Sequence, residues 1–277
     1  MTKSHPEELA DEGLKRDVQS YWDRRSCGTE FANSEKHSRA YFEEIEAHRY
    51  RVEPEIHSFA QFTRAKGLRV LEVGVGAGTG FLQWTRAGAR AVGIDLTREG
   101  VTNTRRRLDV YQLEAEVLQA DSENLPFAES SFDLVYTWGV IHHTARMWTA
   151  VDEIIRVLAP GGRAKIMIYN RHSAAAVRHW VDACLTKGRP WRSISWALWN
   201  HVESPGTKAY TAAEVDRALR ERPVRDIDVR SSPSYYDRVQ PEQRWKSRVK
   251  AWTAAAGAAA LGWRNEGWFL LVEFRKA

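Results

Sequence analysis

Four glycines at alternate positions, Gly74, Gly76, Gly78 and Gly80, follow directly on the apolar run Val70-Leu71-Glu72-Val73. The run is short and rich in β-branched residues, which suits a buried parallel strand, apart from the single acid inside it. Glycine reaches positive φ without steric cost and lets another molecule come close to the backbone. A strand that runs into such a loop and then into a helix is therefore a ligand-binding turn, although a tight connection without a ligand also uses glycines.

The rest of the chain sets the bounds on that ligand. A length of 277 residues allows a full core with additions, and 43% hydrophobic with 28% charged residues is ordinary for a soluble globular chain. No apolar run of about 18 residues appears. The start, Met-Thr-Lys-Ser-His-Pro-Glu-Glu, has no charged-then-apolar leader. The sequence thus predicts a cytoplasmic protein with no membrane partner. Cys27 and Cys184 fit no metal-ligand spacing and predict no metal. The net charge is +5, but acids are interspersed, so Arg105-Arg106-Arg107 reads as a solvated helix face and no nucleic-acid partner is expected. Most of the 12 tryptophans fall after position 179, at spacings that suit amphipathic helices. They predict a separate apolar lining there, as core or as a pocket wall.

Taken in order, residues 1 to 62 read as an N-terminal helical cap: a helix over 11–20 behind disordered first residues, then helix from Arg39 broken at Glu53-Pro54. Residues 63 to 171 alternate strands and helices. After the strand and glycine loop come a helix to Ala87, a strand 91–95 ending at Asp95, and a basic helix 97–111. A strand 115–119 leading to Asp121, a strand 131–136, a helix 149–158 stopped by Pro160-Gly161-Gly162, and a strand 163–169 complete the run. This is an α/β pattern with a mostly parallel, doubly wound sheet. Residues 172 to 222 read as a helical insertion over the sheet edge. Residues 223 to 277 read as closing strands around a second helical insertion over 235–261.

Neither glycine register gives G-x-G-x-x-G, and no G-x-x-x-x-G-K-[ST] occurs, which argues against a dinucleotide or a cradled triphosphate. Glu72 would repel a pyrophosphate and attract an ammonium. Asp95 can accept from ribose hydroxyls and Asp121 from an adenine amine. Acids at three neighbouring strand ends describe a ligand with an ammonium, a ribose and a base but no phosphate, which is S-adenosylmethionine. Leu71 to Gly78, Ala120 to Phe127 with Ser131 to Val135, and Arg156 to Gly162 together resemble the motifs of class I S-adenosylmethionine-dependent methyltransferases, in their small-molecule (type 11-like) branch. The similarity runs over roughly residues 66 to 170. It implies a Rossmann-like seven-stranded sheet with an antiparallel last strand, and cofactor contacts from Glu72, Gly74, Gly76, Gly78, Asp95 and Asp121. It further implies adenine contacts from Leu96 and Ser122, and a backbone carbonyl near Trp138 facing the methionine amine.

Methyl transfer from a sulfonium is an in-line displacement, so positioning in a dry pocket does much of the work and a base is needed only for a protonated acceptor. His142, His143 and His172 are the candidate bases, with Tyr21, Tyr169 and Tyr210 as a polar rim. His142 and His143 could instead cap the next helix, and no third residue lies at metal-ligand spacing. Tyr21-Trp22 could fold over the sulfonium or pack between cap and sheet. Asn170-Arg171-His172 and the segment Glu203 to Tyr210 are the places for acceptor contacts, with Tyr169, Asn170, His172 and Tyr210 as substrate residues. The expected acceptor is a small molecule such as a secondary metabolite, a lipid-like compound or a sugar derivative, and a homodimer is allowed for. A cofactor-binding protein without transfer, and another reaction of the same reagent, stay open.

Overall fold

A computed structural model describes residues 6–24, 26–237, 245–263 and 266–277. The disorder expected for the first residues lies outside these, as does part of the second insertion. Helix α1 covers Pro6–Arg24, longer than expected, followed by α2 at Arg39–Val52 and α3 at Glu55–Ala60. Glu53 and Pro54 separate α2 from α3, since proline suits a first helical turn and not a helix interior.

The sheet begins with β1 at Arg69–Val73, then α4 at Thr79–Arg86, β2 at Arg90–Asp95 and α5 at Arg98–Tyr111. It continues through β3 at Glu116–Gln119, β4 at Phe132–Trp138, α6 at Met147–Val157 and β5 at Leu158–Tyr169. Three helices follow, α7 at Ala174–Ala183, α8 at Ile194–His201 and α9 at Ala212–Arg220. Strand β6 at Val224–Ser232, helix α10 at Trp245–Ala260 and strand β7 at Phe269–Lys276 end the chain.

The seven strands stand in the order β3-β2-β1-β4-β5-β7-β6, and β7 runs antiparallel to both its neighbours. The order reverses between β1 and β4, so the loops after these two strands diverge and leave a crevice at their C-terminal ends. Side chains of β1 alternate between faces: Val70 joins a core with Phe62, Trp84 and Tyr136, while Leu71 and Val73 join one with Ile154 and Val215. Both faces are covered, as a parallel sheet requires.

One expected boundary is corrected. Pro160-Gly161-Gly162 does not separate helix from strand, because β5 already pairs at Leu158 with Phe132 and resumes at Arg163 with Leu134. The tripeptide forms a bulge inside the strand, a place where proline and glycine are tolerated.

Candidate active site

The loop after β1 shows why glycines alternate there. Gly74 has φ of +80°, and a Cβ on it would lie 2.2 Å from Val140 Cγ2 in the loop after β4. Gly76 has φ of +53° but no atom within 4 Å of a built Cβ, so its open side belongs to whatever fills the crevice. Gly78 does not line that space. It caps α4 and packs on Thr104. Gly80 makes room for the Glu72 carboxylate, since a Cβ there would lie 2.9 Å from Oε1.

A cavity of about 620 Å³ opens at this switch point, within the roughly 300–1,000 Å³ usual for small-molecule sites. Glu72, Gly74, Gly76, Asp95, Leu96, Asp121, Ser122 and Trp138 all line it. Glu72 is buried and its Oε2 has no hydrogen-bond partner. Burial pushes its carboxyl up to about 8, with the Trp84 indole and then Arg49 opposing and Asp95 adding to the shift. A buried acid with one open oxygen against an open glycine backbone fits an ammonium ligand.

Asp95 is less free than its position in the sequence implied. It accepts from Gly76 N–H at 2.8 Å, from Thr97 N–H at 2.9 Å and from Thr97 Oγ1 at 2.6 Å, so it also holds the glycine loop in place. Burial raises its pKa despite these bonds. Asp121 accepts from Glu123 N–H at 2.8 Å and from Lys15 Nζ at 2.8 Å. Lys15 also meets Glu123 at 2.9 Å, and Gln19 donates to Leu96 O at 3.0 Å. Helix α1 therefore lies across the Asp95–Asp121 side of the crevice. Burial works against the Lys15 charge, but hydrogen bonds to Asp121 and Glu123 outweigh it and raise the pKa.

The other end of the cavity carries a different set of groups. Tyr21, Trp22, His143, Tyr169, Glu203 and Tyr236 line it, together with Phe31, Met167 and Phe269. Glu203 was visible in the sequence only as one member of a segment. Its side chain is 35% accessible, and that surface opens onto the cavity. Tyr169 donates its hydroxyl to the Glu203 carboxylate at 3.0 and 3.1 Å, and His143 Nε2 lies 3.1 Å from Oε2. These donors outweigh burial and lower the Glu203 pKa. His143 Nδ1 lies 2.9 Å from Ser204 Oγ and 3.0 Å from Thr207 Oγ1, which anchors the ring beside Glu203. The Glu203 backbone stands at φ of +54°, held by a turn in which Thr207 Oγ1 donates to Val202 O and Ser204 O.

Below this group, Arg49 pairs with Glu53 at 2.6 Å and Trp138 donates its indole N–H to Glu53 at 3.2 Å. Burial raises the Glu53 pKa in spite of both. Cys27 is exposed on the wall of the cavity, where loss of bulk water pushes its thiol up to about 12.

Four sequence-predicted residues lie away from the cavity. His142 is fully buried and its ring is tilted against Tyr169 at 4.1 Å, with burial driving its pKa well down. Asn170 is spent on backbone, donating to Gly267 O at 2.9 Å and His172 O at 3.1 Å. His172 stacks on Trp263 at 4.2 Å, and Tyr210 packs on Trp148 and bridges to Asn170. The tryptophans after position 179 do not line the cavity: Trp268 is core, one of the two expected roles, while Trp191, Trp245 and Trp252 are exposed. The fold also supplies the third polar group that linear spacing concealed. His142, His143 and Glu203 offer atoms within 4.8 Å of one another.

A profile described as a methyltransferase domain matches residues 71–166. A fatty-acid O-methyltransferase of Mycolicibacterium smegmatis is 38% identical over 122 residues, 43% of each chain. A phthiotriol/phenolphthiotriol dimycocerosates methyltransferase of Mycobacterium ulcerans is 37% identical over 108 residues, 38% of this chain and 39% of its own length. The chain thus matches less than half the length of these curated relatives. In fold, geranyl diphosphate C-methyltransferase from Streptomyces coelicolor superposes over the full length of both chains with a TM-score of 0.60 at 14% identity. Matched motifs, strand order and an acid-lined crevice converge: residues 71–166 are similar to a methyltransferase domain, and the sheet around them has the fold of a solved methyltransferase.

Proposed function

We propose that the protein transfers a methyl group from S-adenosylmethionine to a hydroxyl or amine of a largely apolar small molecule. The reading rests chiefly on one observation, that Glu203 opens onto the same cavity as Glu72. When bound, S-adenosylmethionine supplies a methyl that already carries its leaving group, so an acceptor lone pair forms the new bond as the carbon–sulfur bond breaks toward sulfur. This chain's residues orient the partners. Glu72 holds the ammonium, Asp95 and Asp121 hold the ribose and base, and Leu96, Ser122 and Trp138 close around them. Tyr21 and Trp22 form the roof on the acceptor side.

The accessible carboxylate of Glu203 faces the space where the acceptor would lie. In this reading Glu203 accepts the hydrogen bond of the acceptor O–H or N–H and takes its proton during transfer, while His143 and Tyr169 hold the carboxylate in place. An ionised Glu203 disfavours a carboxylate acceptor. Phe31, Met167 and Phe269 suit an apolar body, in line with the acyl chain, though not the carboxyl end, of the fatty acid named for one curated relative.

Radiolabelled methyl transfer to long-chain alcohols, amines and acids tests this. Transfer to alcohols or amines that collapses in Glu203→Gln supports it. Transfer to acids alone, or a folded protein that binds S-adenosylhomocysteine and methylates none of them, counts against it and favours a binding role.

A further inference from the structure

The stretches 183–202 and 245–263 combine cations with tryptophans and hold no aspartate or glutamate. The first holds Lys187, Arg189 and Arg192 with Trp191, Trp196 and Trp199. The second holds Lys246, Arg248 and Lys250 with Trp245, Trp252 and Trp263. The fold places these two segments together.

Helix α10 packs an alanine face, Ala254 and Ala258, onto Val177 of α7, and its Lys250 reaches Asp182 near the end of α7 at 2.5 Å. Moving forward along α7 thus means moving back along α10, so the two helices are antiparallel. The first turns of α10 therefore lie beside the end of α7, from which the 185–192 segment departs. Arg189 N–H on Cys184 O, at 2.8 Å, and Trp180 Nε1 on Arg192 O, at 2.6 Å, keep that segment close.

The outward residues at this corner are the wrong kind for a solvated surface. Trp191 is 75% exposed, Trp245 70% and Trp252 66%, with Val249 and Leu185 about half exposed. Trp245, Val249 and Trp252 are spaced by four and three and share one face of α10. Asp182, an acid next to the corner, is already paired with Lys250.

We propose that this corner docks the protein on an anionic lipid surface. Exposed indoles beside guanidinium and ammonium groups match the boundary between acyl chains and negative headgroups, where tryptophan places its ring at the headgroup level. The earlier expectation of no membrane partner rested on spans, and among the described residues no helix is long and apolar enough to cross a membrane. A surface-lying helix needs no such length. A second copy of this chain would bring the same cations against themselves, which argues for lipid over self-association.

Co-sedimentation of the full chain with vesicles tests the assignment, comparing phosphatidylcholine alone with equal parts phosphatidylcholine and phosphatidylglycerol. The expected result is binding to the mixed vesicles that weakens as salt rises, with quenching of tryptophan emission by brominated acyl chains. The triple variant W191A/W245A/W252A is expected to bind at least about tenfold more weakly, and R189E/R248E likewise, with S-adenosylhomocysteine affinity unchanged in both as the check on folding. Absence of vesicle binding by the native chain would overturn the proposal. So would equal binding by the triple variant, or a dimer that the triple variant abolishes while vesicles stay unbound.

Discussion

Glu72 is the residue on which the chemistry of the crevice turns. Its pKa of about 8 against an ordinary 4.5 means that near neutral pH the unfolded chain has released this proton while the native protein still holds it. That contribution to stability is complete below pH 4.5 and is lost as pH rises toward 8. An ammonium beside Glu72 reverses the balance, so binding expels the proton. Affinity for S-adenosylhomocysteine is therefore expected to climb by up to about tenfold per pH unit below pH 8 and then level off. Calorimetry across that range checks the slope. Glu72→Gln is expected to flatten it, to weaken binding, and to melt no lower than the native protein without ligand. Asp95→Ala should weaken cofactor binding by about 1–3 kcal/mol, and because Asp95 also anchors Gly76 and Thr97, it should lower the melting temperature of the ligand-free protein too. A variant with native affinity would refute the assignment. At the far end, Glu203→Gln should cost about 10²–10⁴ in kcat with cofactor affinity retained.

Among the elements, α1 spans the rim of the crevice. Lys15 bonds to Asp121 and Glu123 from one side while Gln19 holds Leu96 O, so the helix covers the rim where the adenine would lie. Lys15→Met removes charged hydrogen bonds worth about 1–3 kcal/mol to docking. It is expected to speed release of S-adenosylhomocysteine in stopped-flow measurements and to expose α1 to limited proteolysis. An unchanged release rate would show that α1 does not gate the site. The turn that carries Glu203 is built in a similar way. Lys208 N–H donates to His142 O at 3.1 Å and its Nζ to Thr144 O at 2.7 Å, which fastens the turn after α8 onto the loop after β4.

For the whole molecule, the cavity is shared between parts far apart in sequence: Lys15 and Tyr21 from α1, Arg49 from α2, the ends of β1, β2 and β4, and Glu203 and Tyr236 from the later segments. A ligand that bridges them stabilises them as a unit. At one hundred times its dissociation constant, S-adenosylhomocysteine should add about 2.7 kcal/mol, which for a chain of this size is a rise of several degrees in Tm. Differential scanning calorimetry checks this, and no shift at saturation would remove the basis for a cofactor site in this crevice.

The sequence alone determined the part of this protein where function is local to a strand end. Glu72, Asp95 and Asp121 each sit at the C-terminal end of a strand readable from its apolar run, and a parallel sheet brings such ends to one edge. That is why the cofactor end of the cavity was legible. The acceptor end was not, because no periodicity says that Glu203 will be folded back 60 residues onto His143, or that Asn170, His172 and Tyr210 will spend their polar groups on structure. The tryptophans misled for a related reason. Helical spacing shows that Trp245 and Trp252 share a face but not which way it points, and only the packing of Ala254 and Ala258 on α7 turned that face outward.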